Sequence, residues 1–192
     1  TLRIMGSGID LKRFPQTPLS DGKMVFLLIA RLLADKGIRE YFSAARIVRQ
    51  SNSDVRFALL GPFDQNPAGI GRTELQEWID EGVVDYWGDT ADVRPALARC
   101  TIFVLPSYRE GLPHSVLEAM AMGRAVITTD VPGCRDTVEH GINGYLVPAQ
   151  DADALANAMN RCLMLNAPLV AMGAASRALA ESQFDVDSIN NV

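Results

Sequence analysis

Several stretches of this chain are apolar at every consecutive position instead of at alternate ones. The clearest is 24–30, Met-Val-Phe-Leu-Leu-Ile-Ala, and 102–105, Ile-Phe-Val-Leu, has the same character. A strand without alternation is apolar on both faces, which is typical of a parallel sheet covered by helices on both sides. Helical patterns separate these stretches, such as the one over 38–50, whose apolar stripe includes Tyr41 and Phe42.

We therefore predict an α/β fold, a Rossmann-like doubly wound parallel sheet of about six strands with right-handed crossovers. The strands are predicted over 24–30, 55–60, 83–87, 102–105, 125–129 and 144–147. We also predict a helix beginning at a cap on Asp92 and a short helix that ends near Glu139.

Composition excludes several classes of protein. The chain has 192 residues, of which 48% are apolar and 21% charged, as expected of a globular domain. Its net charge of −5 argues against non-specific binding to nucleic acid, so we expect no nucleic-acid partner. The three cysteines, Cys100, Cys134 and Cys162, are widely spaced, and an odd number argues against a disulfide framework. We expect them to be reduced thiols.

The stretch 106–118 carries the most chemistry. It follows the apolar run 102–105, contains Glu110 and Gly111 in a polar turn, and leads into a helix that opens near Pro113. A helix that begins at the carboxyl end of a parallel strand presents free N–H groups and a positive dipole end, which favour anions. Glu110 and Glu118 are too far apart for an i,i+4 pair. A ligand lying across the helix end could meet both carboxylates at different points along its length.

Two cations follow the first predicted strand at its carboxyl end, Arg31 and Lys36. In a doubly wound fold, ligands bind at the carboxyl ends of strands near the point where the strand order reverses. Arg suits a diphosphate through its fork of donors and Lys as a point charge. The residues alone leave a second interpretation open, in which both are solvated surface cations.

A family resemblance rests on four blocks of sequence. Glu110-x7-Glu118, within EGLPHSVLEAMAMGRAVITT, resembles the E-x7-E motif of retaining glycosyltransferases of family 4, which have the two-domain GT-B architecture. The blocks 30–37, ARLLADKG, and 6–10, GSGID, agree in order and spacing, and 139–147, EHGINGYLV, resembles the family's usual tail to the sheet. The resemblance implies that 1–192 is a single C-terminal donor-binding domain. The N-terminal acceptor-binding domain would then precede Thr1.

The resemblance also implies roles for individual residues. Arg31 and Lys36 would stabilise the charge that develops on the diphosphate, and Glu110 would face the donor hexose. Glu118 would accept hydrogen bonds from both ribose hydroxyls. The other substrate-binding positions that the resemblance implies are Gly8, Gly88, Asp89, Gly111, Leu112 and His114.

Some positions depart from the family pattern. Pro62 and Phe63 stand where many relatives have a second glycine, which puts backbone contact with a ligand in doubt at that loop. His114 stands where many relatives carry Asn, so this residue could tune the choice of sugar. Trp87 lies at a strand end, where a core position is favoured over a platform for base stacking.

The function implied is transfer of a sugar from a nucleotide-sugar donor, with UDP the favoured nucleotide, to a glycan or lipid-linked acceptor with retention of configuration. No metal or other cofactor is expected, since the chain lacks a metal-ligand pattern and His114 and His140 are isolated. The resemblance suggests a bacterial surface-polysaccharide or lipid-linked glycan pathway. We expect a cytoplasmic protein, with its parent at the inner face of the membrane, and we expect this chain alone to bind donor but to transfer little.

Three other functions share some of these sequence features. A glycoside hydrolase also uses two carboxylates, but it needs one on each side of the sugar and has no use for a cationic diphosphate site. A GT-B sugar-nucleotide epimerase lacks the E-x7-E block. A non-catalytic nucleotide-binding or scaffold module is disfavoured, because it would have no need to keep Arg31, Lys36, Glu110 and Glu118 together.

Overall fold

The computed structural model describes residues 8–164 and 168–190, and within them strands alternate with helices. The strands are β1 (Val25–Ile29), β2 (Arg56–Leu60), β3 (Asp85–Tyr86), β4 (Ile102–Leu105), β5 (Ala125–Thr129) and β6 (Gly144–Val147). The helices are α1 (Ile38–Ser51), α2 (Arg72–Asp80), α3 (Arg94–Arg99), α4 (His114–Ala121), α5 (Ala152–Met164), α6 (Pro168–Leu179) and α7 (Val186–Asn190).

The six strands form one sheet in the order β3-β2-β1-β4-β5-β6, and every neighbouring pair is parallel. This confirms the predicted doubly wound sheet. The order reverses between β1 and β4, where Phe26 lies opposite Ile102 and Leu27 opposite Phe103. In such sheets the crevice outside the carboxyl ends of the two central strands is the usual ligand site.

Both faces of the sheet are buried, which explains the strands without alternation. On one face Phe26 and Leu28 of β1 pack with Tyr41 of α1 in a core that also includes residues of α2 and α5. On the other face Leu27 and Ile29 pack with residues of α3 and α4. Successive side chains of a strand point to opposite faces, so each β1 position has an apolar neighbour.

Three local predictions differ from the structure. The strand predicted over 83–87 pairs only at β3, although Val83 and Val84 are buried. The segment before β6 forms a single 3₁₀ turn, Arg135–Thr137, instead of a short helix. Helix α3 begins at Arg94, and the Asp92 carboxylate accepts the Arg94 backbone N–H at 3.1 Å while it also pairs with the Arg94 guanidinium. The strand was predicted too long because a run of buried apolar residues has the same sequence pattern whether or not it pairs with a neighbouring strand.

The C-terminal helices begin at residues that are typical of helix starts. The Asp151 carboxylate accepts the Ala154 N–H at 2.8 Å at the beginning of α5, and Pro168 opens α6. A π-helical turn, Ala180–Phe184, leads on to α7, and Ile9 donates its N–H to the Phe184 carbonyl at 2.7 Å. In 8–164 and 168–190, no single helix is long and apolar enough to cross a membrane. The segments Ala152–Met164 and Pro168–Phe184 reach that length and apolar character only in sum, and they are bent by 113° relative to each other.

A close backbone contact joins the segment after β1 to the segment after β4. Gly37, with φ at +69°, lies against the backbone carbonyl of Pro106, and a Cβ at this position would collide with that carbonyl. The Asp35 carbonyl accepts two further hydrogen bonds, from the Tyr108 N–H at 2.8 Å and from the Ser107 hydroxyl at 3.0 Å. These contacts fix the edge of the sheet where the candidate site lies.

We predict that Gly37→Ala destabilises the fold far more than Gly82→Ala, its matched control. Gly82 has the same φ of +69°, but a Cβ there has nothing within 4 Å. The free energy of unfolding of the control should therefore fall by only about 1–2 kcal/mol, the cost of a left-handed backbone conformation for a residue with a Cβ. The free energy of unfolding of Gly37→Ala should fall by about 1–3 kcal/mol more than that of the control, because the new methyl group displaces Pro106. Urea unfolding of both variants measures the difference, and equal losses would contradict the packing argument.

Candidate functional site

The candidate site lies at the carboxyl ends of β1 and β4. Arg31 and Lys36 follow β1, while Glu110, Gly111 and Leu112 lie between β4 and α4. Since β1 and β4 are parallel neighbours, both segments emerge on the same edge of the sheet. The structure therefore brings together, at one edge, residues that sequence reasoning had placed at two separate strand ends.

The central contact of the site is an ion pair between Lys36 and Glu110. The Lys36 ammonium donates to Glu110 Oε1 at 2.7 Å, and the side chains are only 17% and 15% exposed. Sequence reasoning had placed both residues at the site but had not predicted that they touch. A lysine ammonium has three N–H donors, so this contact leaves others for an anion.

Arg31 forms a second ion pair, with Asp64 of the loop after β2. Its Nη1 lies 3.0 Å from Asp64 Oδ2, and the Arg31 side chain is 64% exposed while that of Asp64 is 17% exposed. Asp64 is not among the residues that the sequence pattern predicts at the site. Both predicted cations thus have carboxylate partners that are largely shielded from water, but the Lys36 side chain is itself shielded whereas that of Arg31 is exposed.

The turn that carries Glu110 is held from several directions. The Thr129 hydroxyl at the end of β5 donates to the Ser107 carbonyl at 2.5 Å, and the Tyr108 hydroxyl donates to Glu40 of α1 at 2.7 Å. Gly133 lies directly against the backbone of Gly111. Sequence reasoning missed these positioning residues, and a polar threonine at the end of an apolar strand was the one local signal.

Helix α4 points its amino end at the site. Pro113 is the residue before its first turn, and no side chain caps the helix. The first N–H groups of a helix have no partner within it, and together with the helix dipole they favour an anion. His114, one of the residues predicted to bind substrate, begins the helix and is exposed.

Glu118 lies more than one turn farther along α4 and is half-buried. Burial raises the pKa of its carboxyl group, and the nearby Arg13 opposes that shift. Among the residues that the structure describes, no hydrogen bond to this carboxylate is found. A half-buried acceptor of this kind is available to ligand hydroxyls, which are hydrogen-bond donors.

The remaining predicted residues lie on other segments of the chain, Gly8 before β1 and Gly88 and Asp89 after β3. The Gly88 carbonyl accepts the Gly61 N–H at 2.8 Å, and the neighbouring Asp89 is exposed. The pKa of the Tyr86 hydroxyl is raised, first by burial and then by the charge of Asp89. Gly8 is half-buried and precedes Ile9. Within the described ranges, no hydrogen bond or ion pair joins Gly8 or Asp89 to Arg31, Lys36, Glu110 or Glu118. Gly6 and Ser7 of the same sequence block lie outside those ranges.

Other polar groups near the site do not form a metal centre. Within 8–164 and 168–190, no group of three His, Cys, Asp or Glu residues could hold a metal ion. Cys100, Cys134 and Cys162 are all buried and free, and burial raises the pKa of the Cys100 and Cys162 thiols to about 12. The half-buried Trp87 has the Arg99 guanidinium 4.2 Å above its ring centre and packs against the core.

The arrangement is suited to one kind of ligand. Two cations and an uncapped helix end provide positive potential at the carboxyl edge of β1 and β4. Two carboxylates, Glu110 and Glu118, provide acceptors on either side of that helix end. Chemically, the site can bind a molecule that carries an anionic centre and several hydroxyl groups.

We predict that Glu118→Gln stabilises the folded protein near pH 7. Because burial raises the pKa of Glu118, its ionised form is less favourable in the folded protein than in the unfolded chain. This unfavourable contribution is present above the folded-state pKa and disappears as the pH falls below about 4. Thermal unfolding should therefore show a higher Tm for the variant at pH 7 and no difference at pH 3.5. The exposed Glu77→Gln serves as the control and should change Tm little; a lower Tm for Glu118→Gln would contradict the burial argument.

Comparison with known proteins shows which family this chain resembles. The family described as Glycosyl transferases group 1 matches residues 23–164, which include Arg31, Lys36, Glu110 and Glu118. The chain is 35% identical over 143 residues to N,N'-diacetylbacillosaminyl-diphospho-undecaprenol alpha-1,3-N-acetylgalactosaminyltransferase of Campylobacter jejuni. That match covers 74% of this chain and 36% of the relative. Amylovoran biosynthesis glycosyltransferase AmsK of Erwinia amylovora is 30% identical over 168 residues, covering 83% of this chain and 40% of the relative.

Solved structures share the fold over almost the whole chain. HepE of Anabaena, in complex with UDP, has a TM-score of 0.83 and 26% identity, covering 96% of this chain and 54% of HepE. Sucrose-phosphate synthase of Thermosynechococcus elongatus has a TM-score of 0.83 and 30% identity, covering 97% of this chain and 49% of the synthase. The chain thus spans about half or less of the proteins it matches. Because this family match spans residues 23–164, most of the chain, the chain belongs to the glycosyl transferases group 1 family.

Proposed function

We propose that this chain is the donor-binding half of a retaining glycosyltransferase of family 4 and binds a nucleotide sugar, with UDP as the nucleotide. The bound sugar is transferred to a glycan or lipid-linked acceptor with retention of configuration. The acceptor-binding domain of the same parent protein completes the active site. Structures of HepE support the nucleotide, since it was solved both with UDP and with UDP-glucose.

The observation that carries the proposal is the contact between Lys36, which follows β1, and Glu110, in the turn before α4. As the glycosidic bond of the donor breaks, negative charge grows on the diphosphate. Lys36, Arg31 and the first turn of α4 oppose that charge with groups that are already in place, which stabilises the transition state and the leaving group together. Glu110 holds the Lys36 ammonium and faces the hexose next to the Gly111 and Leu112 amides.

Glu118 accepts the ribose hydroxyls in this proposal. A carboxylate can accept two hydrogen bonds at once, and vicinal hydroxyls offer two donors. His114, at the exposed start of α4, lies on the sugar side and influences the choice of hexose. Gly8, Gly88 and Asp89 complete the donor site through backbone and surface contacts. No metal takes part, because the two cations and the helix end supply the positive charge.

The names of the relatives support the kind of acceptor that we propose. The Campylobacter relative is named for a diphospho-undecaprenol acceptor, and the AmsK relative for the biosynthesis of amylovoran. We propose that the parent of this chain likewise works on a polysaccharide or lipid-linked glycan, at the cytoplasmic face of a membrane. Its partners are then the nucleotide sugar, its own N-terminal domain and the acceptor.

Calorimetric titration with UDP, GDP and ADP tests donor binding. We expect UDP to bind with a Kd on the order of 10 μM to 1 mM, since a half-site makes only part of the contacts. Arg31→Ala and Glu118→Ala should each weaken binding by about 10-fold, because each removes a charged hydrogen-bond partner. The affinity should be the same in EDTA and in magnesium chloride.

Arg46→Ala and Glu77→Ala are the matched controls for that titration. Arg46 lies on α1 and pairs with Glu81, which follows α2, while Glu77 is exposed on α2. Arg46 and Glu77 therefore both lie away from the carboxyl edge of β1. Neither control should change the affinity. Failure of all three nucleotides to bind would contradict the donor-site proposal, and a preference for GDP or ADP would correct the base.

Incubation with a labelled UDP-sugar and a polyprenyl-diphosphate glycan tests the division of labour between the two halves. We expect the 192-residue chain to transfer little sugar by itself and the full-length parent to transfer it readily. The reason is that acceptor positioning supplies a large share of the rate enhancement in a two-substrate reaction. Robust transfer by the chain alone would overturn the proposal that it is only the donor-binding half.

A further inference from the structure

The loop 61–71 after β2 is fastened to the segment that carries Arg31. The Leu32 N–H donates to the Pro62 carbonyl at 2.9 Å, and the Ala34 N–H donates to the Ala68 carbonyl at 3.0 Å. The Ile70 N–H in turn donates to the Leu32 carbonyl at 2.8 Å. These bonds extend the pairing of β1 with β2 beyond the edge of the sheet, so the loop and the Arg31 segment form one unit.

Asp64 uses its two carboxylate oxygens for different partners. Oδ1 accepts the Asn66 N–H at 2.9 Å and thereby closes a turn within the loop. Oδ2 accepts from Arg31 Nη1 at 3.0 Å. Because the Asp64 side chain is 17% exposed and that of Arg31 is 64% exposed, the carboxylate is the fixed partner and the guanidinium is the one being held.

The contact leaves most of the Arg31 guanidinium free. Arg39 and Arg46 both use Nε and Nη2 to bind a carboxylate through two bonds, with Glu74 and Glu81. Arg31 instead binds Asp64 through Nη1, and no other hydrogen bond of its side chain is found in the part of the chain that the structure describes. An arginine has five N–H donors, so the forked side formed by Nε and Nη2 can receive a phosphate group.

We propose that Asp64 is a positioning residue, which holds Arg31 so that its free donors face the donor diphosphate. This inference rests on the proposed function. Asp64 also carries a negative charge near the anion, and that charge by itself would weaken binding. The two effects have opposite signs. Removal of the carboxylate therefore decides between a residue that positions Arg31 and a residue that merely competes with the diphosphate for it.

The test is the titration of Asp64→Asn with UDP, and with GDP and ADP in parallel. The amide oxygen of Asn keeps the acceptor for the Asn66 N–H, while the pair with Arg31 is lost. We expect the affinity of Asp64→Asn for UDP to be about 10-fold lower than that of the unaltered chain. When the same substitution is added to Arg31→Ala, it should hardly change the affinity, because Asp64 acts through Arg31. In the full-length enzyme, KM for the donor should rise more than kcat falls.

Two further variants complete the experiment. Asp54→Asn removes a similar charge from the surface pair with Lys23, just before β2 at the opposite edge of the sheet, and should not change affinity. Asp64→Glu keeps the negative charge and should bind UDP more tightly than Asp64→Asn. Unchanged or tighter binding by Asp64→Asn, or an equal loss in the Arg31→Ala background, would overturn the inference. Failure of the unaltered chain to bind any nucleotide would instead contradict the proposed function.

Discussion

The site depends on the close contact between the segments that follow β1 and β4. Gly37 allows the two backbones to touch at Pro106, and the Asp35 carbonyl holds Ser107 and Tyr108. Because of that contact, Lys36 and Glu110 meet although 74 positions separate them in sequence. Parallel strands bring the two segments to the same edge, but backbone contacts of a few ångströms decide which side chains can reach each other.

The two cations of the site are held under different physical conditions. Lys36 is largely removed from water, where an unpaired charge would be costly, and Glu110 offsets much of that cost. Arg31 is exposed, so its pair with Asp64 contributes little to stability and its value lies in the orientation it imposes. An incoming anion must share the Lys36 ammonium with Glu110, while at Arg31 it finds donors that no other described residue uses.

Much of the fold follows from local sequence. Strands that are buried on both faces leave runs without alternation, so β5 and β6 were predicted with the bounds they have and β1 within one residue at each end. The strand over 83–87 was predicted too long, because burial of Val83 and Val84 does not reveal how far a neighbouring strand extends. Arg31, Lys36 and Glu110 could be assigned to one edge from their places after strands. The role of Asp64 could not be predicted, because it depends on the path of a long loop. The role of the Asp35 carbonyl could not be predicted either, because every residue has such a backbone atom.

The site also keeps groups that folding alone would not select. The pKa of Glu118 is raised because its carboxylate is half-buried without a hydrogen-bond donor among the described residues, and an apolar residue at that position would stabilise the helix packing more. Local rules of stability are commonly broken where a ligand completes the interactions. Here the incomplete groups differ in kind: cations at Arg31 and Lys36, and an acceptor at Glu118, about 6 Å along α4 from its first residue. They select a ligand with an anionic centre at one point and hydroxyl donors at another. A nucleoside diphosphate joined to a sugar has both features, whereas a simple sugar or a lone phosphate has only one.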